Sequence, residues 1–171
     1  SDLLALTRAL CHQGDRLAWL AIVRGRCIGM HWDDFLRMVM NNGVSTVPEL
    51  IADTERLSGL SDDGLNRVAH LSRVISPSLA PTAVGSLSDR VERAWFDLGG
   101  PVPLEPDQVE NAYRFFDALE RLQSGGTLTD IAELENRLDS ERVSGTPGQC
   151  RLKIMTMHKA KGLQSEHVIL P

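Results

Sequence analysis

The sequence predicts a mainly α-helical domain that ends in a strand–turn–strand piece of an α/β sheet. Apolar residues recur at helical spacing from Asp2 to Leu138, and the breaks between periods carry cap and stop residues. After the polar, turn-rich stretch "SERVSGTPGQ" the pattern switches to alternation in "CRLKIMTM" and to a short apolar run in "HVILP". This divides the chain into a helical part at 1–140, a loop at 141–149 and a strand–turn–strand part at 150–171.

The first helix runs from about Asp2 to His12 and stops at Gly14. Asp15 caps a second, "RLAWLAIV", whose apolar residues on every side predict a central position. Gly25 and Gly29 bracket a turn. "HWDDFLRMVM" follows as a short helix with Asp33 and Asp34 in its first turn, where carboxylates oppose the positive end of the backbone dipole. Thr46, Val47, Pro48 and Glu49 form a capping box, so a short helix extends to about Ala52. Ser61 caps the next, with Leu65, Val68, Leu71 and Ile75 on one face and a break or fresh start at Pro77. Leu87, Val91, Ala94, Trp95 and Leu98 make a further stripe, closed by Gly99 and Gly100. A long helix from about Pro106 to Gln123 presents Val109, Ala112, Tyr113, Phe116 and Leu119 and ends at Gly125 and Gly126. Ile131, Leu134 and Leu138 form the last helical stripe. The two terminal strands would leave open edges and little core of their own, which predicts that their sheet is completed elsewhere.

With 42% hydrophobic residues in 171, the chain is long enough to bury a good core. Its net charge of -5 excludes a binder that grips polyanions over its whole surface, so any such contact must be local. Cys11, Cys27 and Cys150 are odd in number and lack metal or disulfide spacing; a reducing cytoplasm fits, and no metal site is expected. The longest uncharged apolar run, Leu17 to Val23, is too short to span a bilayer. The abrupt start on an amphipathic helix and the stop at Pro171 after a strand-like run predict a piece of a longer polypeptide.

The chemistry sits at the end of the chain. Thr156, His158, Lys159, Lys161 and Gly162 place a hydroxyl, an imidazole, ammonium groups and an approachable backbone on a turn after a buried strand, the donors a phosphate chain needs. The string "MTMHKAKGLQSEHVILP" closely resembles motif V of the superfamily 1 DNA helicases of the UvrD/RecB/AddA type, with Thr156, His158, Lys161, Gly162 and Leu163 matching in position. Upstream, "DLLALTRALCHQGDRLAWLAIVRGRCIGMHWDDF" looks like the helical segment after motif IV, and "DRVERAWFDLGGP" like the inserted helical subdomain of these enzymes.

The resemblance implies a helical inserted subdomain followed by an incomplete second RecA-like domain. It implies that Thr156 and His158 contact single-stranded DNA, that Lys161 and Gly162 belong to the coupling turn, and that position 164 holds the nucleotide ribose. Gln164 stands where the family has glutamate, and Ser165 where it has an aromatic residue. A neutral amide offers one carbonyl acceptor where a carboxylate offers two oxygens. The turn bearing Arg24 and Arg26 would approach duplex DNA, although arginines at a helix end also serve as simple dipole partners. The implied parent is an ATP-dependent DNA helicase or helicase–nuclease subunit acting in double-strand-break repair and recombination, with a nuclease or second helicase subunit as partner.

No G-x-x-x-x-G-K-[ST] occurs; the nearest spacing, Gly59 to Gly64, is followed by leucine and asparagine and reads as a turn. ATP and Mg2+ would therefore be held by the parent, and this chain alone is expected to be inactive as an ATPase, with no catalytic residue of its own. "PDQVE" resembles the start of a nuclease motif, but proline and carboxylates at a helix beginning are ordinary capping chemistry. Trp19, Trp32 and Trp95 fall on helical faces and read as core rather than as base-stacking groups. The rival class is a non-catalytic helical interaction module or scaffold.

Overall fold

A computed structural model describes residues 2–40, 45–80, 82–102, 104–124, 127–128 and 130–144. Within them the protein is mainly helical: α1 (Asp2–Cys11), α2 (Arg16–Arg24), α3 (Trp32–Val39), α4 (Val47–Ala52), α5 (Thr54–Leu57), α6 (Asp62–Leu79), α7 (Leu87–Asp97), α8 (Pro106–Leu122) and α9 (Ile131–Ser144), with a two-stranded ribbon of β1 (Gln123–Ser124) and β2 (Thr127–Leu128) between the last two. The strand–turn–strand expected at 150–171 lies outside the described residues.

Helix starts follow the side-chain chemistry of their caps. The Asp15 carboxylate accepts from the Ala18 amide at 3.0 Å and starts α2. Thr46 and Glu49 form the reciprocal box of α4, with Glu49 Oε2 accepting from the Thr46 amide at 2.7 Å. Ser86 and Asp89 repeat it at α7, a box not anticipated from the sequence. α7 ends on a left-handed Gly99 at φ 75°, with the Gly100 amide donating to Trp95 O at 2.9 Å and the Gly99 amide to Phe96 O at 2.9 Å.

α1 packs against α2 and α7, α6 against α4 and α7, and α8 against α9. Their apolar faces meet in one core whose fully buried members include Trp19, Met38, Leu71, Leu87 and Leu119. The stripe Leu87, Val91, Ala94, Trp95 and Leu98 is buried as expected.

Several expectations need correction. α6 does not break at Pro77: it runs on to Leu79, because a proline this close to the C-terminus removes a single ladder bond while Ile75 and Ser78 stay buried around it. Leu65 is 37% exposed, since the buried positions Gly64, Val68, Leu71 and Ile75 define a stripe that passes one residue to its side. On α8 the same one-residue offset leaves Tyr113 exposed and buries Phe115. α2 contacts α1 and α4, yet Leu17 projects into solvent at 77% exposure, so the helix is not enclosed on every side. The last helix continues four residues past Ser140. α5 and the small ribbon were not foreseen, being four and two residues per element, too short for any period to show.

Candidate nucleic-acid interface

Thr156, His158, Lys161, Gly162 and Gln164 lie outside the described residues. Arg24 and Arg26 are described: Arg24 is the last residue of α2, and Arg26 lies on the turn that joins α2 to α3.

α2 ends where Gly25 turns the chain: its amide donates to Ile22 O at 3.1 Å, and its carbonyl accepts from the amides of Ile28 and Gly29 at 3.2 and 2.6 Å. Gly29 sits at φ 59°, the left-handed region that favours glycine, and the Met30 amide returns to Val23 O at 3.1 Å. Arginines close the turn from both sides. Arg24 Nη1 donates to Met30 O at 2.5 Å, and Arg67 Nη1 donates to Ile28 O. Arg67 is itself held by Asp63, 2.6 Å from its Nε, a hydrogen bond that raises the guanidinium pKa above its ordinary value.

The two predicted DNA contacts therefore differ. Arg24 is committed to its own backbone and its Cζ lies 5.3 Å from the Trp32 ring centroid and 5.8 Å from that of Phe35. Arg26 reaches outward; its Nε is 3.9 Å from Asp2 Oδ2, a loose pair between half-exposed groups. Comparison with protein-family models, curated proteins and solved structures finds no significant match.

Trp32 overturns the expectation that all three tryptophans are core. Trp19 and Trp95 are 0% and 4% exposed, but Trp32 is 53% exposed, stacked on Phe35 at 5.5 Å with 25° between the planes. Its place at the first position of α3 explains this: Phe35, one turn later, takes the buried position, and Trp32 rests on its outer side.

Asp34, in the first turn of α3, is buried, unlike its exposed neighbour Asp33. Its carboxylate accepts from the Ser61 hydroxyl at 2.5 Å and the Ser61 amide at 2.9 Å, while Ser61 Oγ accepts from the Gly64 amide at 3.1 Å. The Ser61 hydroxyl first, then its amide, hold the Asp34 carboxyl below the usual carboxylate range against the opposing effect of burial. This ties α3 to the start of α6, the helix that also delivers Arg67. Gly64 is thus a helical packing glycine, not part of a turn, and a Cβ there would lie 2.6 Å from Asp34 Oδ2.

Behind the turn, Leu6, Ile22, Cys27 and Trp95 line a cavity of about 20 Å³, too small for a nucleobase. Burial first, and then the Asp2 charge, push the Cys27 thiol above its usual pKa, which keeps it protonated near neutrality. A wider groove of about 520 Å³ is lined by Arg37, Arg56, Asp53 and Glu55. Arg37 donates to Gly59 O at 3.2 Å and Arg56 to Met40 O at 3.0 Å, so neither sign of charge dominates that groove. Among the described residues no group of three or more histidines, cysteines or carboxylates is placed to hold a metal ion, and no helix is long and apolar enough to cross a membrane.

Proposed function

We propose that this chain contributes the helical inserted subdomain and the motif V strand–turn–strand to an ATP-dependent DNA helicase, or to the helicase subunit of a helicase–nuclease, that translocates along single-stranded DNA in cytoplasmic double-strand-break repair and recombination. The observation that carries the reading is the string from Met155 to Pro171, which matches motif V at Thr156, His158, Lys161, Gly162 and Leu163. Thr156 and His158 grip the strand, Lys161 and Gly162 form the turn that couples grip to nucleotide, and Gln164 faces the ribose. ATP and Mg2+ are held by other parts of the parent, since no Walker A sequence is present here.

Charge supports the same division of labour. All three lysines of the chain, Lys153, Lys159 and Lys161, fall in this short stretch with Arg151, against the single carboxylate Glu166. The remainder of the chain is acidic. A polyanion is therefore drawn to the motif, and any contact elsewhere must be local.

A scaffold reading is favoured by one feature, the neutral Gln164 and small Ser165 at positions where the family has glutamate and an aromatic residue. Equilibrium binding of a labelled oligothymidylate across a salt series separates the two. Two to four phosphate contacts give a log–log salt slope of about -1.4 to -2.8 on single strands. Thr156→Ala with His158→Ala should weaken binding about tenfold or more without changing that slope, because two hydrogen bonds are lost and no fixed charge. Lys159→Ala with Lys161→Ala should reduce the slope by about 1.4. Salt-insensitive binding, or none, sinks the helicase reading and leaves the scaffold.

A further inference from the structure

Trp32 is large, apolar and half exposed, and its position is fixed before any partner arrives. Phe35 beneath it is 8% exposed and anchored in the core. Arg24, bonded to Met30 O, holds its guanidinium 5.3 Å from one ring centroid and 5.8 Å from the other, while the centroids are 5.5 Å apart. These three distances form a nearly equilateral triangle, so the guanidinium does not lie across Trp32 from Phe35. Had it lain across Trp32 from Phe35, its distance to Phe35 would be nearly doubled. The outer face of Trp32 is therefore covered by neither neighbour.

The chain segment before it carries two arginines. From Arg24 through Trp32 the run holds Arg24 and Arg26 and no carboxylate of its own. Arg26 is held only loosely by Asp2, at 3.9 Å and with its side chain 58% exposed, a pair that phosphate can replace at small cost. The charges that oppose a polyanion here are Asp2, paired with Arg26, Asp63, paired with the Arg67 that closes the same turn, and the exposed Asp33, 3.9 Å from His31 Nδ1.

We infer that Trp32 is a stacking platform for an unpaired nucleobase, with Arg26, six residues before it on the same turn, as the cation for a phosphate of that strand. This rests on the single-strand reading above and adds a second contact point for the strand on the helical part. An aromatic face accepts any base, and the preset stack on Phe35 removes the ordering cost that a mobile tryptophan would impose. Arg24 serves as a positioning residue that holds the indole, and Arg26 as the phosphate contact.

Because Trp19 and Trp95 are buried, tryptophan emission that responds to added oligonucleotide or to acrylamide reports mainly on Trp32. Oligothymidylate should quench that emission and shield it from acrylamide. Trp32→Ala should abolish the response and weaken binding about tenfold, while Trp32→Phe retains most of the affinity. Asp33→Asn should tighten binding. Oligonucleotide that binds through Thr156 and His158 while Trp32 emission, acrylamide access and the affinity of Trp32→Ala stay unchanged overturns the platform alone. Absence of oligonucleotide binding overturns both readings. Concentration-dependent shielding of Trp32 in the chain without oligonucleotide assigns the face to a second protein copy and also overturns the platform.

Discussion

At the first turn of α3 two neighbouring aspartates have different fates, and the difference was not visible in "WDDF". Both read as dipole partners; only Asp33 is free to act as one in solvent. Asp34 points inward because Ser61 meets it with a hydroxyl and an amide, 2.5 and 2.9 Å away, and because Gly64 leaves room for its Oδ2. That partnership spans 27 residues of sequence, beyond what local spacing reports. Asp34→Asn keeps the shape but turns one acceptor into a donor, so that either the hydroxyl or the amide of Ser61 loses its acceptor. The cost at neutral pH should be about 1–3 kcal/mol. Since the folded-state carboxyl is depressed, its contribution is complete above the unfolded aspartate pKa of about 3.9 and is lost as the pH falls through the lower folded value. The stability gap between wild type and Asp34→Asn, followed by urea unfolding, should therefore narrow below about pH 4; a gap that is flat with pH would show the carboxylate's charge to be irrelevant. Gly64→Ala should also destabilise, although alanine is the better helix former, because its Cβ would sit 2.6 Å from Asp34 Oδ2.

Elements whose ends carry their own chemistry were legible: Asp15, Thr46 with Glu49, Ser61, and the Gly99–Gly100 stop each mark a boundary found in the structure. Elements defined by tertiary context were not. Pro77 reads locally as a break, and only the burial of Ile75 and Ser78 carries α6 past it. Leu65 and Tyr113 satisfy a helical period yet fall one residue outside the buried stripe, an offset set by where the neighbouring helix lies. The turn after α7 shows how two adjacent glycines can be needed for separate reasons. Gly99 is required by its backbone at φ 75°, and a Cβ there would meet nothing within 4 Å. Gly100 is required by space, since a Cβ would fall 2.1 Å from Nε1 of the buried Trp95. Gly99→Ala should cost about 1–2 kcal/mol of left-handed strain. Gly100→Ala should cost more, about 2–4 kcal/mol, by displacing an indole that also packs on Phe116 at 5.5 Å. Equal shifts in the urea midpoint for the two would mean that Trp95 yields freely.

At the scale of the whole molecule, the buried core and the lysines fall on different stretches of chain. The buried apolar side chains described here run from Leu3 to Leu134. Several arginines on the surface around them are paired: Arg8 meets Asp15 at 2.9 Å and Glu135 at 3.2 Å, Arg114 meets Glu110 at 2.6 Å, and Arg121 meets Asp117 at 2.8 Å. Such exposed pairs add little stability, about 0–1 kcal/mol each, but they occupy arginines that would otherwise attract phosphate. The lysines, all at 153–161, have only Glu166 as an acidic neighbour in sequence from Cys150 to Pro171. If folding and binding are divided in this way, residues 1–144 should fold without the rest, keeping helical circular dichroism and a single cooperative unfolding transition. They should also lose most of the salt dependence of oligonucleotide binding, because the remaining contact at Arg26 and Trp32 supplies one phosphate partner and a slope of only about -0.7. A broad, non-cooperative transition would mean that residues 145–171 complete the core, and an undiminished salt slope would place the phosphate grip on the helices.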